Sequence, residues 1–173
     1  MYLASTFIQE KVYDKFAKQN YYQLICFVRD AVGNSFVSAI RGKLFEEYAH
    51  RRLCSGEDFR VRSLDDSDSG EDRIVNFGKL TPKHIACVND IEAGYYCRPI
   101  AKNFKSIDSL IAPDTLFQIT VAEQHPIKEN GIAMLRSKLK TRGTIAFYFV
   151  VPPDGYRGLK RQSYTIQEGM YWL

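Results

Sequence analysis

The run from Ser106 to Val151 limits the fold more than any other part of the chain. SIDSLIA and TLFQITVA are two short apolar-rich stretches joined at Ala112-Pro113-Asp114, a turn signal. Pro126 then opens a helix to about Thr141, with loosely periodic apolar positions at Ile127, Ile132, Met134, Leu135 and Leu139. TIAFYFVVP closes the run and is apolar on both faces. A strand, a helix and a further strand in that order favour a parallel crossover. The expected fold is α/β, a mixed central β-sheet flanked by helices. TIAFYFVVP, apolar throughout, is expected at the centre of that sheet, covered on both sides.

The preceding chain adds helix and strands. Thr6 to about Leu53 reads as helical, with breaks near Asn20 and Gly33. In GKLFEEYAHRRL, Leu44, Phe45, Tyr48, Ala49 and Leu53 form one apolar face. At about 100° per residue, Glu46 falls on the edge of that face and Glu47 on the solvent side. Of the two glutamates, only Glu46 is then expected to look into a cleft, with His50 one turn on and able to pair with it. EDFRVRSL alternates as a half-buried strand, DDSDSGED reads as a solvated acidic loop, and RIVNFGKL as a second strand. Thr81 to Ile100 is mixed, with GYYCRPI extended. The domain organisation expected is an N-terminal helical segment, 1–41, packed on an α/β domain, 42–173.

With 173 residues and 45% hydrophobic content, the chain can bury a core and is not disordered overall. Net charge is +4, which permits nucleic-acid binding without demanding it. The four cysteines form no C-x-x-C pair, so a structural zinc site is not expected; reduced, mostly buried thiols are. No apolar run approaches the roughly 20 residues that span a bilayer, and no signal peptide is legible. No GxxxxGK[ST] occurs, which excludes a P-loop nucleotidase.

The hairpin concentrates the candidate chemistry. A three-residue loop, Ala112 to Asp114, sets Asp108 opposite Gln118 and Ser106 opposite Thr120. Asp108, Gln118 and Thr120 then share one face, and Phe117, Ile119 and Val121 share the other, packed on a helix. A polar group on a buried face needs a partner. Asp108 can satisfy itself with a neighbour's hydrogen bond, or it can bind a divalent cation together with the Gln118 amide oxygen.

Several blocks carry a resemblance in order: GKLFEEYAHRRL, FRVRSLDD, YYCRPIAKNFKSIDSLIAPDTLFQITVAEQHPIK and FYFVVPPDGY. From about Gly42 to Tyr156 the chain resembles the C-terminal domain of Crinkler effectors and retrotransposon hot spot proteins. That resemblance implies the restriction-endonuclease-like fold of the PD-(D/E)XK superfamily and a magnesium- or manganese-dependent nuclease acting on nucleic acid, DNA in the first instance. By motif position Glu46 is the helix acid, Asp108 the metal-binding aspartate, and Gln118 stands at the acid position of the next strand. Glu46, Asp108 and Gln118 are thus the expected metal ligands.

Thr120 departs from the pattern, which has lysine there. Lys128, His125 or Lys105 would have to supply the cation, although His125 can equally cap the following helix. Arg136, Lys138, Lys140 and Arg142 on the basic helix, with Lys160 and Arg161 beyond it, form a solvated face or a phosphate-tracking patch. The resemblance also implies a nuclear location in a host cell, an NTPase domain in a longer parent protein, and the dimeric habit of such nucleases. Its alternative reading is an impaired nuclease-fold module that binds nucleic acid or a partner protein.

Overall fold

The computed structural model describes residues 35–64, 72–100, 104, 107–127, 129–139 and 144–162, with positions 8, 11, 14, 15, 23 and 26 from the first 34. Among them no helix is long and apolar enough to cross a membrane.

Helix α1 is Ser35–Cys54. It is followed by β1 (Asp58–Val61) and β2 (Arg73–Asn76), an antiparallel pair. Glycine is needed between α1 and β1. Gly56 has φ of 79°, and a Cβ there would sit 3.0 Å from the Lys79 nitrogen. Next come β3 (Thr81–Ile85), a short 3₁₀ turn (Val88–Asp90) and β4 (Tyr95–Pro99). Then β5 (Ser109–Ile111), β6 (Thr115–Ile119), α2 (Glu129–Leu139) and β7 (Ala146–Val150) complete the core.

The second sheet has five strands in the order β3-β4-β5-β6-β7. Its ends are parallel, β3 with β4 and β6 with β7, while its centre is antiparallel. This is the expected mixed sheet, and β6–α2–β7 is the expected parallel crossover. Helices cover both faces. On one, Leu44, Phe45, Ala49 and Leu53 of α1 pack on Tyr96, Phe117 and Ile119. On the other, Ile132 and Leu135 of α2 pack on Cys97, Leu110 and Leu116. Burying each such side chain stabilises the fold by roughly 1.5–3 kcal/mol. The period-two alternation of β6 therefore serves two helices at once.

Three expectations need correction. β7 stands at the edge of the sheet among the described residues, not at its centre, and all five of its residues are only half-buried. Its apolarity still serves two faces: Tyr148 and Val150 pack against the cluster under α1, and Phe147 against the cluster under α2. α2 starts at Glu129, so Pro126 belongs to the preceding loop rather than to the first helical turn. The mixed stretch from Thr81 contains a full strand, β3, hidden by its polar, exposed pattern. The four cysteines are free, but the expectation that most are buried fails: only Cys97 is, while Cys26 and Cys54 are half-buried and Cys87 is exposed. Of the acidic loop only Asp72 lies among the described residues; it accepts Tyr156 Oη at 2.8 Å and pairs with Arg157 at 2.9 Å.

Candidate functional site

The register of the hairpin positions the site. Ser109 pairs with Phe117 and Ile111 with Thr115, so the loop is Ala112 to Asp114 and Asp108 stands opposite Gln118. At that point the main-chain ladder ends. The Asp108 N–H donates to the Phe117 carbonyl at 2.8 Å. The Ile119 N–H donates to a side chain instead, Asp108 Oδ2, at 2.6 Å. Gln118 Nε2 donates to the same oxygen at 2.8 Å. One carboxylate oxygen thus ties the strand end together, and the other, Oδ1, takes no hydrogen bond among the described residues.

Burial pushes the Asp108 carboxyl up to about 6. The Ile119 N–H opposes that rise, the Glu46 carboxylate adds to it, and the Lys43 and Arg98 charges oppose it. Glu46 therefore does lie where its charge is felt at Asp108. Its Oε2 accepts Lys43 Nζ at 2.6 Å across one helical turn. Its Oε1 has no hydrogen-bond partner among the described residues, and neither has Gln118 Oε1. Strand geometry turns the Ile119 carbonyl to the same side as its N–H, toward Asp108. Two carboxylates, an amide oxygen and a carbonyl are hard donors of the kind magnesium and manganese take, with water completing the shell. Among the described residues no three His, Cys, Asp or Glu side chains cluster into a ready-made metal shell.

Glu47 reverses the expectation from the helical wheel. It is buried, not solvent-facing: Arg98 Nη1 of β4 is 2.7 Å from Glu47 Oε2, and Arg51 Nε donates to Oε1 at 3.1 Å. Arg51 continues to Asp14 at 2.7 Å. The wheel sees only the helix's own apolar arc, and here long-range charges cover a second side of α1. His50 is likewise corrected. It is buried and does not pair with Glu46; its Nδ1 is 2.8 Å from Tyr96 Oη, which is 2.6 Å from Ser109 Oγ. Burial, then the Arg98 charge, hold the imidazole well below its ordinary pKa. The last member of this hydrogen-bonded chain, Ser109, follows Asp108 in sequence and ties the start of β5 to β4 and α1.

Thr120 is buried but faces a different task. Its Oγ1 accepts the Ala122 N–H at 3.0 Å, a side-chain turn at the end of β6, and lies 3.5 Å from His125 Nδ1. His125 does not cap α2, which begins four residues later; its N–H donates to Gln162 Oε1 at 2.6 Å. Of the basic residues, Arg136 is half-exposed on α2, and Lys160 and Arg161 are exposed. Lys105, Lys128, Lys140 and Arg142, with Ser106 and the Lys138 side chain, lie outside the described residues.

Sequence reasoning missed Lys43, Glu47, Arg98 and the His50–Tyr96–Ser109 chain. Lys43 was discoverable, since it stands three residues before Glu46 on the same helix. The others depend on β4, which no local pattern ties to α1. Comparison of the chain with protein-family models, with curated proteins and with solved structures found no match in any of the three.

Proposed function

We propose that this chain is a metal-dependent nuclease domain of restriction-endonuclease-like architecture, acting on nucleic acid, with DNA the first substrate to try. The observation that carries the reading is Asp108: a half-buried residue whose carboxyl is raised to about 6, within reach of the Glu46 charge, with its second oxygen taking no hydrogen bond among the described residues. Such a group is held against its own solvation preference, and a bound cation removes the penalty.

The Asp108, Glu46 and Gln118 side chains and the Ile119 carbonyl would hold magnesium or manganese. Bound there, the ion would polarise a phosphodiester and lower the pKa of water. Asp108 also keeps the end of β6 in register through the Ile119 N–H, so that ligand and scaffold are one residue. Lys43 takes the role that Thr120 does not. Its ammonium is anchored on Glu46 Oε2 at 2.6 Å and would be available to the charged phosphate. A cation about 4 Å from that phosphate contributes roughly 4 kcal/mol at an effective dielectric near 20, about three decades in rate.

The alternative, a module that binds nucleic acid or a partner without cutting, is favoured by one observation: the Thr120 hydroxyl is committed to a turn and offers no charge. Plasmid cleavage in magnesium or manganese, native chain against Asp108→Asn, separates the two. Cleavage that disappears in the variant supports the nuclease. Absence of cleavage from folded native protein with either metal rejects it.

A further inference from the structure

A groove of about 610 Å³ runs along the outer edge of β7. Its floor is that strand. The Ala146 N–H donates to the Asp114 carbonyl at 2.9 Å, and the Val150 carbonyl accepts the Thr120 N–H at 3.0 Å, so these residues turn their peptide groups to β6. Alternate residues in a strand face opposite edges, so the peptide groups of Phe147 and Phe149 point outward into the groove. Among the described residues no strand pairs with that edge. Apolar walls rise on both sides: Phe59 and Phe77, packed with the α1 cluster, on one, and Ile127 and Ile132, packed with the α2 cluster, on the other.

The charge lining the groove has one sign. Arg60, Arg62 and Arg73 contribute to it, and no aspartate or glutamate does. Arg62 is fixed by neutral acceptors. It donates to the Tyr156 carbonyl at 3.1 and 3.0 Å and to the Leu159 carbonyl, leaving its charge uncompensated by a carboxylate there. Asp72, beyond the lining, is 3.8 Å from Arg60.

We infer that this groove binds an extended acidic peptide segment of a partner protein, which adds to the sheet as a strand beside β7. Outward peptide groups supply main-chain pairing, the two walls take alternate apolar side chains, and the arginines take the acidic ones. A second copy of this chain would bring the same arginines against each other. A nucleic-acid strand would match the charge but leave the peptide groups of Phe147 and Phe149 unpaired.

The test is fluorescence anisotropy with the whole chain and a labelled short peptide alternating valine and glutamate. Saturable binding is expected. Methylating alternate backbone nitrogens of the peptide should abolish it. Arg73→Glu, at an exposed position on β2, should weaken it about tenfold. Asp108→Asn should leave it unchanged, which separates this groove from the proposed metal site. Equal binding of the methylated peptide overturns the proposal, because attraction would then be charge alone. So does failure of the folded chain to bind the peptide, including the case where a single-stranded oligonucleotide binds with the same Arg73 dependence.

Discussion

Replacing Asp108 by asparagine should make the metal-free protein more stable. The carboxyl is raised from 3.8 to about 6 by burial. At 1.36 kcal/mol per pKa unit, ionising it in the folded state costs about 3 kcal/mol more than in the unfolded chain. The sign follows from proton binding. Between pH values near 3.8 and 6 the folded state holds the proton and the unfolded state does not, so stability falls as pH rises through that window. Above it the full penalty is present. Asparagine removes the charge and keeps an oxygen for the Ile119 N–H and a polar contact for Gln118. The amide's own N–H groups, placed where Oδ1 takes no hydrogen bond among the described residues, take back about 1 kcal/mol, so the net gain is about 2 kcal/mol. For a chain of this size that is a Tm increase of about 4–8 °C.

Thermal unfolding of both proteins at about pH 8 and about pH 4 measures it. The variant should win at the higher pH, and its advantage should vanish at the lower, where the native carboxyl is protonated too. Magnesium or manganese should then raise the Tm of the native protein and leave Asp108→Asn unmoved. A variant that is less stable at both pH values would refute the reasoning: Asp108 would be a structural anchor whose charge the fold wants.

Lys43→Met should lower metal-dependent cleavage by about two to three decades while metal-induced stabilisation persists, read from single-turnover rates and a thermal shift; an unchanged rate would remove Lys43 from the chemistry. Glu47→Ala leaves the Arg98 guanidinium buried without its carboxylate and should cost about 3–5 kcal/mol in urea unfolding. Glu47 on the solvent side, as the helical wheel has it, would cost almost nothing. His50, held neutral by burial and Arg98, should destabilise the fold as pH falls below about 6.5, because only the unfolded chain gains that proton. His50→Gln should flatten that limb of the stability profile, and an unaltered limb would show that another group titrates there.

The hairpin was legible because its determinants are local. A turn at Ala112-Pro113-Asp114 fixes the register, and the register fixes what stands opposite Asp108. The crossover to β7 was legible for the same reason, since a strand, a helix and a strand leave few connections open. The location of β7 in the sheet was not. Apolarity on both faces says that both are covered, as they are, but not whether a strand pairs along each edge. The wheel failed at Glu47 and His50 because burial of polar side chains is decided by their partners. Arg98 and Tyr96 stand on β4, some fifty residues further along the chain.

That failure bears on how the site is built. Asp108 does two jobs with two oxygens: Oδ2 replaces the missing main-chain acceptor at the end of β5, and Oδ1 is left over. A residue serving only as scaffold would do better uncharged, because amide and carboxylate accept the Ile119 N–H alike while only the carboxylate carries the burial penalty. The neighbouring layer removes other routes to neutrality. Arg98 is already matched to Glu47, His50 is locked neutral against Tyr96, and Lys43 is matched to Glu46. Among the described residues, each nearby charge that might have compensated Asp108 has a partner of its own. Among those residues the carboxylate is thus left without a paired counter-charge, and a cation from outside would supply one.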